Sequence, residues 1–183
     1  MPVSIRDAGL ADMADLQRVF ERASRSNEHD RGLLAEHPGW LVLSDAGVIE
    51  GRTRVATDHH GAVVGFATVV IADGFAEIED LFVEPTRMRQ GIGSALVADL
   101  SARVLALHVD LLEVTANPHA MAFYEHLGFV EIRIVETPGY PASRMRRSTR
   151  WPDCVHRRGG WHGRRPPWCG RPDRRPPAGM LEP

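Results

Sequence analysis

Short runs of alternating apolar and polar residues recur along most of the chain. Such alternation places the apolar side chains on one face of an extended segment, which is typical of half-buried strands. Residues 59–61 and 72–74 supply turns between the central runs, and Ala72-Asp73-Gly74 is a strong hairpin signal. The pattern predicts strands over residues 3–6, 53–58, 62–71, 75–83, 110–115 and 129–135.

Other segments carry apolar residues at helical spacing. The longest predicted helix covers residues 91–107, and a shorter one over 118–127 has proline in its first turn. A helix is also expected within residues 10–23, and the polar, irregular stretch 27–40 leaves room for a further short helix. This order of elements predicts the mixed α/β class, with one hairpin-rich half and one crossover half.

Charge is distributed unevenly along the 183 residues. Residues 1–143 carry 11 Arg and 21 acidic residues, whereas residues 144–183 carry 11 Arg and 3 acidic residues. The second stretch is rich in Pro and Trp and has too little aliphatic surface to offset the entropy of ordering. We therefore predict a folded domain over residues 1–147 and a disordered Arg/Pro-rich tail over residues 148–183.

The start of this tail affects the last predicted strand. Alternation begins at residues 141–146, but Arg147-Ser148-Thr149-Arg150 breaks it. The final strand is therefore expected to be incomplete, which would leave one sheet edge less covered and lower stability or dimerisation. A homodimer is among the expected partners. The tail composition is typical of GC-rich DNA translated out of frame, so we interpret the tail as a frameshifted or newly extended terminus rather than a functional module.

The composition of the tail raises two other hypotheses about its function. Its Arg residues could bind nucleic acid while its three tryptophans stack on bases, although the acidic domain would repel phosphate. Its Cys and His residues match no common zinc-site spacing, so no metal is predicted. The residues concerned are Trp151, Trp161 and Trp168, and Cys154, His156, His162 and Cys169.

The chain contains no lysine, since all 22 basic residues are Arg. This excludes P-loop phosphate binding and Schiff-base chemistry, which both need a lysine. There is no run of 18 apolar residues and no basic start followed by an apolar stretch, so neither a membrane span nor a secretory signal is predicted. A cytoplasmic location is expected.

The most informative segment, residues 80–96, reads Asp-Leu-Phe-Val-Glu-Pro-Thr-Arg-Met-Arg-Gln-Gly-Ile-Gly-Ser-Ala-Leu. A strand ends at a proline, a basic loop follows, and Gly91 and Gly93 open a helix. Glycine lets the backbone approach a ligand closely, and the first helical amides lie at the positive end of the helix dipole. These features predict a phosphate or pyrophosphate site, to which Arg87 and Arg89 can add charge.

A second segment, residues 112–129, contains the pattern Asn-x-x-Ala-x-x-Phe-Tyr-x-x-x-Gly-Phe. An earlier block precedes this pattern in the chain: a strand that ends in Val-x-Pro, followed by the Gly-x-Gly loop. In these two blocks, in this order and at this separation, the chain resembles the GCN5-related N-acetyltransferase (GNAT) superfamily over about residues 1–140. The resemblance implies the GNAT fold, with a central, mostly antiparallel twisted sheet, a splayed parallel pair of strands and flanking helices.

The resemblance also implies acetyl-CoA as co-substrate, with its pantetheine arm in the gap between the splayed strands. Met88 departs from the family pattern, which usually has Arg or Gln there, and the following Arg89 and Gln90 can supply that contact. Asn117 is expected both to face the coenzyme and to cap the following helix. The positions that match coenzyme-binding residues are Leu81, Phe82, Val83, Arg89, Gln90, Gly91, Ile92, Gly93, Ser94 and Asn117.

The resemblance implies that two groups assist the transfer, one at the leaving thiolate and one at the thioester carbonyl. Tyr124 matches a tyrosine that lies near the coenzyme sulfur in the family, so it is the candidate general acid. The alternative for Tyr124 is plain core packing beside Phe123. The backbone amide of Val83 is expected to polarise the thioester carbonyl, as in an oxyanion hole.

Three glutamates are candidates for the general base that removes the proton of the amine. Alternation would place Glu77 and Glu79 on one strand face with Leu81 and Val83, where both could reach the same cleft. Glu77 matches the catalytic glutamate of histone-modifying family members, and Glu113 matches a glutamate used by ribosomal-protein acetyltransferases. For each of the three, the alternative is a solvated strand carboxylate.

These observations predict an enzyme that transfers acetyl directly from acetyl-CoA to an amine of a small molecule, a peptide or a protein. The alternative is a degenerate acyl-CoA-binding module without chemistry. The acceptor pocket is expected between residues 25–40 and residues 136–142. Because the domain is acidic, electrostatic steering would favour a cationic amine.

Overall fold

The computed structural model describes residues 3–150, and for residues 28–30 it describes the backbone alone. The strands of this part are β1 Ser4–Asp7, β2 Thr53–Thr57, β3 Val63–Ala72, β4 Phe75–Val83, β5 Leu111–Ala116, β6 Val130–Glu136 and β7 Pro141–Ser148. They form one seven-stranded sheet in the order β1-β2-β3-β4-β5-β7-β6. Only the pair β4–β5 in this sheet is parallel. The predicted mixed α/β class, with a mostly antiparallel sheet and one parallel pair, is confirmed.

The helices of the described part are α1 Met13–Ser26, α2 Glu28–Glu36, α3 Ala46–Ile49, α4 Ile92–Ala106 and α5 Met121–His126. Helix α2 fills the space left for a short helix, whereas the single-turn α3 was not predicted. Helix α5 is shorter than the predicted segment because Asn117 closes a turn with Ala120 before the helix begins. Three short 3-10 segments accompany these helices, at Leu10–Asp12, Pro38–Leu41 and Pro85–Arg87.

Two apolar clusters cover the two faces of the sheet. Helix α4 buries its apolar stripe against one face, where Leu96 and Leu100 pack with strand residues such as Leu112. Helix α1 covers part of the other face with Leu16 and Val19. Adjacent residues of β3 alternate between the two clusters, as expected for a strand that is buried on both sides.

Strand β7 is complete, so the prediction of an incomplete last strand is wrong. It pairs with β5 up to Ser148 on one side and with β6 on the other, so it lies inside the sheet rather than at its edge. Arg147 continues the strand because its side chain has polar partners within the core. Its guanidinium lies 5.0 Å from the centre of the Phe129 ring and donates to the Leu127 carbonyl at 2.8 Å and to the Ser101 hydroxyl.

None of the described helices is long and apolar enough to cross a membrane. Within residues 3–150, no cluster of three His, Cys, Asp or Glu side chains is arranged to hold a metal ion. The predictions made for the tryptophans, cysteines and histidines of the tail fall outside the described residues. The domain boundary after residue 147 stays a prediction.

Arg147→Ala should lower the free energy of unfolding by about 2–4 kcal/mol, because it leaves a cavity and removes buried hydrogen bonds. Urea denaturation measures the change. The control is Arg150→Ala, since that side chain is 69% exposed in its ion pair with Asp110 and should contribute less than about 1 kcal/mol. Equal unfolding midpoints for the two variants would contradict the assigned role of Arg147.

Candidate active site

The parallel strands β4 and β5 separate at their carboxyl ends. Their pairing covers Ala76 to Ile78 on β4, and its last pair is Ile78 with Val114. Strand β4 continues to Val83 while staying paired with β3. A gap therefore opens between β4 and β5, as the GNAT resemblance implies.

A β-bulge in β4 lies next to the last pair of this parallel ladder. Thr68 of β3 pairs with Asp80, and the next residue, Val69, pairs with Ile78, so Glu79 is an extra residue in β4. A bulge bends its strand and increases the local twist, which turns β4 away from β5. It also reverses the alternation of side chains, because Ile78, Leu81 and Val83 all pack in the core cluster beneath α4.

The bulge corrects the predicted position of Glu77. Its neighbours Ala76 and Ile78 are buried in the α4 cluster, so the Glu77 side chain points to the opposite face. Glu77 therefore does not share a face with Leu81 and Val83, and this part of the prediction is wrong.

The end of β4 directs a backbone amide into the gap. The amide of Glu84 donates to the Val64 carbonyl of β3 at 2.9 Å. Because successive amides of a strand point to opposite edges, the Val83 amide faces the β5 side. The buried Glu84 carboxylate also pairs with Arg18 at 3.3 Å and with Arg22 at 3.0 Å, which fixes the end of β4 against α1.

The loop after β4 ends at the positive end of α4. Gly91 precedes the helix with φ of 82°, and Arg89 also has a positive φ of 59°. The first hydrogen bond of the helix joins the Ala95 amide to the Gly91 carbonyl at 2.9 Å. The amides of the preceding residues, Ile92, Gly93 and Ser94, thus have no acceptor within the helix. Arg89 and Gln90 are exposed beside them.

Helix α5 packs against this loop through Phe123. A Cβ atom at Gly93 would lie 3.1 Å from the Phe123 ring, so glycine permits this close approach. The next residue, Tyr124, is 5% exposed, and its ring lies 5.0 Å from Phe123 and 5.3 Å from Phe129. Burial raises the pKa of Tyr124, so its hydroxyl is protonated at neutral pH.

Asn117 lies at the end of β5, on the other side of the gap. Its side-chain carbonyl accepts a hydrogen bond from the Ala120 amide at 2.9 Å. This is the capping type of contact that its position before Pro118 predicts. The same residue also lines a pocket at the end of β5, and its expected contact with the coenzyme stays a prediction.

The three candidate bases have different surroundings. Glu77 is held by both terminal nitrogens of Arg144, whereas Glu79 is half-exposed and pairs with Arg52 at 3.0 Å. The buried Glu113 accepts from Arg144 and from Arg146 at 2.6 Å each. The structure therefore brings Glu77 and Glu113 together at Arg144, whereas Glu79 pairs with Arg52 instead.

The arginines also set the protonation of Glu113. Burial by itself would raise the pKa of this carboxyl, but the hydrogen bonds from Arg146 and Arg144 outweigh burial and hold the pKa below its usual range. A carboxylate with a low pKa and both oxygens occupied is a poor proton acceptor. This arrangement favours a structural role for Glu113 over that of a base.

Asp80 is a carboxyl group that the sequence analysis missed. Burial raises its pKa, the nearby Glu79 charge adds to the rise, and the Thr68 hydroxyl and Arg52 oppose it. The bulge places Asp80 on the face opposite Leu81, toward Thr68. Alternation alone could not reveal this, because it assumes a regular strand.

A pocket of about 380 Å³ adjoins the carboxyl end of β5. One wall is Trp40, whose ring stacks on His37 with 4.3 Å between ring centres. The opposite wall is the turn between β6 and β7, where Gly139 has φ of 115°. A Cβ atom at Gly139 would lie 2.5 Å from Leu33 of α2, so only glycine lets the turn approach α2 this closely. The pocket is lined by Trp40, Thr115, Asn117, Thr137, Pro138, Tyr140 and Ala142.

Comparisons with known proteins agree with this geometry. The family model described as an acetyltransferase (GNAT) domain matches residues 50–131. The uncharacterized N-acetyltransferase ycf52 of Gracilaria tenuistipitata var. liui is 25% identical over 113 residues, which cover 57% of this chain and 62% of that protein. The chain therefore spans less than two thirds of that relative.

In two further matches, the aligned region covers a larger share of the other protein. Glucosamine 6-phosphate N-acetyltransferase of Trypanosoma brucei brucei is 27% identical over 136 residues, which cover 66% of this chain and 92% of that protein. The solved structure of PaiA N-acetyltransferase from Thermoplasma acidophilum, in complex with coenzyme A, matches with a TM-score of 0.63 and 17% identity. That match covers 81% of this chain and 99% of the other, and it concerns the fold.

Three observations point to the same class of protein: the matched domain, the sheet with its splayed parallel pair, and the two sequence motifs. The chain carries the acetyltransferase domain of the GCN5-related N-acetyltransferase superfamily over residues 50–131, and its fold is the one that this superfamily shares. Its enzyme class is accordingly that of the N-acetyltransferases.

The ion pairs of Glu113 should make stability depend on pH. The pKa of Glu113 in the folded chain lies below the unfolded value of about 4.3. The ion pairs therefore contribute fully to stability above about pH 4.3, and this contribution is lost as the pH falls toward the lowered pKa. Glu113→Gln should lower the free energy of unfolding at pH 7 by about 3 kcal/mol and weaken its pH dependence between about pH 5 and pH 3. Urea denaturation at several pH values measures both effects.

The control for this prediction is Glu79→Gln. The Glu79 side chain is 53% exposed in its pair with Arg52, so its removal should change stability by less than about 1 kcal/mol. If Glu113→Gln unfolds with the same pH dependence as the original chain, the assigned role of Glu113 is wrong.

Proposed function

We propose that this chain transfers an acetyl group directly from acetyl-CoA to the amine of a small molecule, a peptide or a protein. The observation that carries the proposal is the gap between β4 and β5, in which the Val83 amide faces the end of β5. The amides at the start of α4 follow a few residues later in the chain. One cleft thus offers groups for a thioester and for a diphosphate.

The residues around the gap fit coenzyme A. Leu81 and Val83 have backbone groups on the unpaired side of β4, where an extended chain with amides can pair as an added strand does. The free amides of Ile92, Gly93 and Ser94 suit the pyrophosphate, because they lie at the positive end of the α4 dipole. Acetyl-CoA supplies the acetyl group as an activated thioester.

The transfer requires one proton to leave the amine and one to reach the sulfur. A primary amine with a pKa near 10.4 is neutral in only about one molecule per thousand at pH 7.4, so a proton acceptor assists. The amine nitrogen bonds to the carbonyl carbon while the carbon–sulfur bond breaks. The Val83 amide stabilises the negative charge that develops on the carbonyl oxygen.

The chain offers a proton donor and two candidate acceptors. Tyr124 carries its proton at neutral pH, so it is our proposed donor to the departing thiolate, although the burial that raises its pKa also makes it a weaker acid. Glu79 keeps solvent contact beside the gap, and Glu77 lies on the opposite face in its pair with Arg144. Glu79 is our proposed base, acting directly or through water, and Glu77 is the weaker candidate because Arg144 occupies both of its oxygens.

Two measurements test the proposed function. Coenzyme A should bind the chain in isothermal titration, and acetyl-CoA mixed with a panel of amines should release free thiol and acetylated amine. Binding without acetylation of any amine would contradict the transferase proposal and support an acyl-CoA-binding module. No binding of coenzyme A would contradict both.

Tyr124→Phe should lower the rate of transfer by about a hundredfold, the lower range for loss of a general acid. Phe keeps the ring contacts with Phe123 and Phe129, so the affinity for acetyl-CoA and the stability should change little. Steady-state rates and titration with coenzyme A measure the two effects. An unchanged rate at every pH would mean that Tyr124 only packs the core.

A further inference from the structure

The pocket beside the gap is uncharged. Its lining residues are two aromatic rings, two threonines, one amide, a proline and an alanine, and none carries a charge at neutral pH. A charged part of a ligand that packed against this lining would lose hydration on that side without gaining an opposite charge. The lining thus suits an uncharged group.

The charged side chain that contacts the pocket lining from the sheet is already paired. The Arg144 guanidinium contacts Thr115 of the lining, but it is also held by Glu77 and Glu113. Arg146 donates to the other carboxylate oxygen of Glu113. This group of two arginines and two glutamates is neutral as a whole, so it supplies the pocket with neither a net positive nor a net negative charge.

The two threonine hydroxyls of the pocket differ in what they can donate. The Thr137 hydroxyl donates its single hydrogen to the Tyr140 carbonyl at 2.6 Å. The Thr115 hydroxyl instead accepts a hydrogen bond from Arg144 at 3.0 Å, and its side chain is exposed to the pocket. A hydroxyl has one hydrogen to donate, so Thr115 keeps a donor for a ligand and Thr137 does not.

We infer that this pocket selects acceptor amines whose remaining part is uncharged and carries a hydrogen-bond acceptor, such as an amide carbonyl or a hydroxyl, and that Thr115 donates to it. The inference rests on the proposed acetyl transfer and names the class of acceptor. Trp40, fixed by stacking on His37, and Tyr140 provide apolar surface for the rest of the molecule. The expectation of a cationic acceptor came from long-range steering by the acidic domain, whereas the pocket acts at contact distance.

A size-matched set of acceptors tests the inference. 4-Aminobutanamide, 4-aminobutanoate and 1,4-diaminobutane differ in bearing a neutral amide, a carboxylate or a second ammonium group. The value of kcat/KM should be about tenfold higher for the amide than for either charged amine, as expected when one hydrogen bond and one desolvated charge decide. Equal values, or a preference for the diamine, would overturn the inference.

Substitutions at Thr115 test the donor itself. Thr115→Val keeps the shape but removes the hydroxyl, so KM for 4-aminobutanamide should rise about tenfold with a smaller change in kcat. Thr115→Ser is the matched control and should restore most of the lost affinity. An unchanged KM in Thr115→Val would overturn the role of Thr115.

A binding experiment separates this inference from the proposed function. The three amines are titrated into the chain saturated with coenzyme A, without any turnover. Tighter binding of the amide that Thr115→Val abolishes would support the inference even if no amine is acetylated. Equal or absent binding of all three would overturn it whether or not acetyl transfer is found.

Discussion

The single extra residue in β4 is the constraint on which the rest of the site depends. The bulge at Glu79 lies beside the last pair of the parallel ladder, and it turns β4 away from β5 without breaking its pairing with β3. It also returns Leu81 and Val83 to the α4 face after Ile78. Strand β4 therefore forms one wall of the cleft: its side chains pack against the α4 cluster, and its backbone groups on the β5 side stay unpaired. A regular strand would have continued the ladder and closed the gap.

The arrangement of charge follows from a chain whose basic residues are all arginine. Arg144 contacts two carboxylates and the Thr115 hydroxyl at once, which the several nitrogens of a guanidinium permit. Arg147 combines a cation–π contact with hydrogen bonds in the core on the other face of β7. One strand thus carries buried positive charge on both faces, stabilised by acidic partners on one face and by a ring and a carbonyl on the other.

The sequence predicted those features that depend on local pattern. The turn at Gly74 and the apolar stripe of α4 were predicted because spacing alone determines them. The Val-x-Pro and Gly-x-Gly block led correctly to the superfamily. The face on which Glu77 lies was not predictable, because the bulge depends on how β4 pairs with β3. The end of β7 was missed because Arg147 counts as polar in any alternation, although a ring and two hydrogen-bond acceptors make its burial favourable.

The close contact of Gly139 with Leu33 joins two distant segments of the chain into one pocket. Trp40, Thr137 and Tyr140, which line it, belong to neither apolar cluster of the sheet. Substitutions of these three residues therefore alter the shape and polarity of the pocket with little change in the stability of the fold. Gly139 is different, because any side chain there meets both a forbidden backbone angle and the side chain of Leu33. Substitutions around Gly139 can thus change this pocket while the gap between β4 and β5 stays the same.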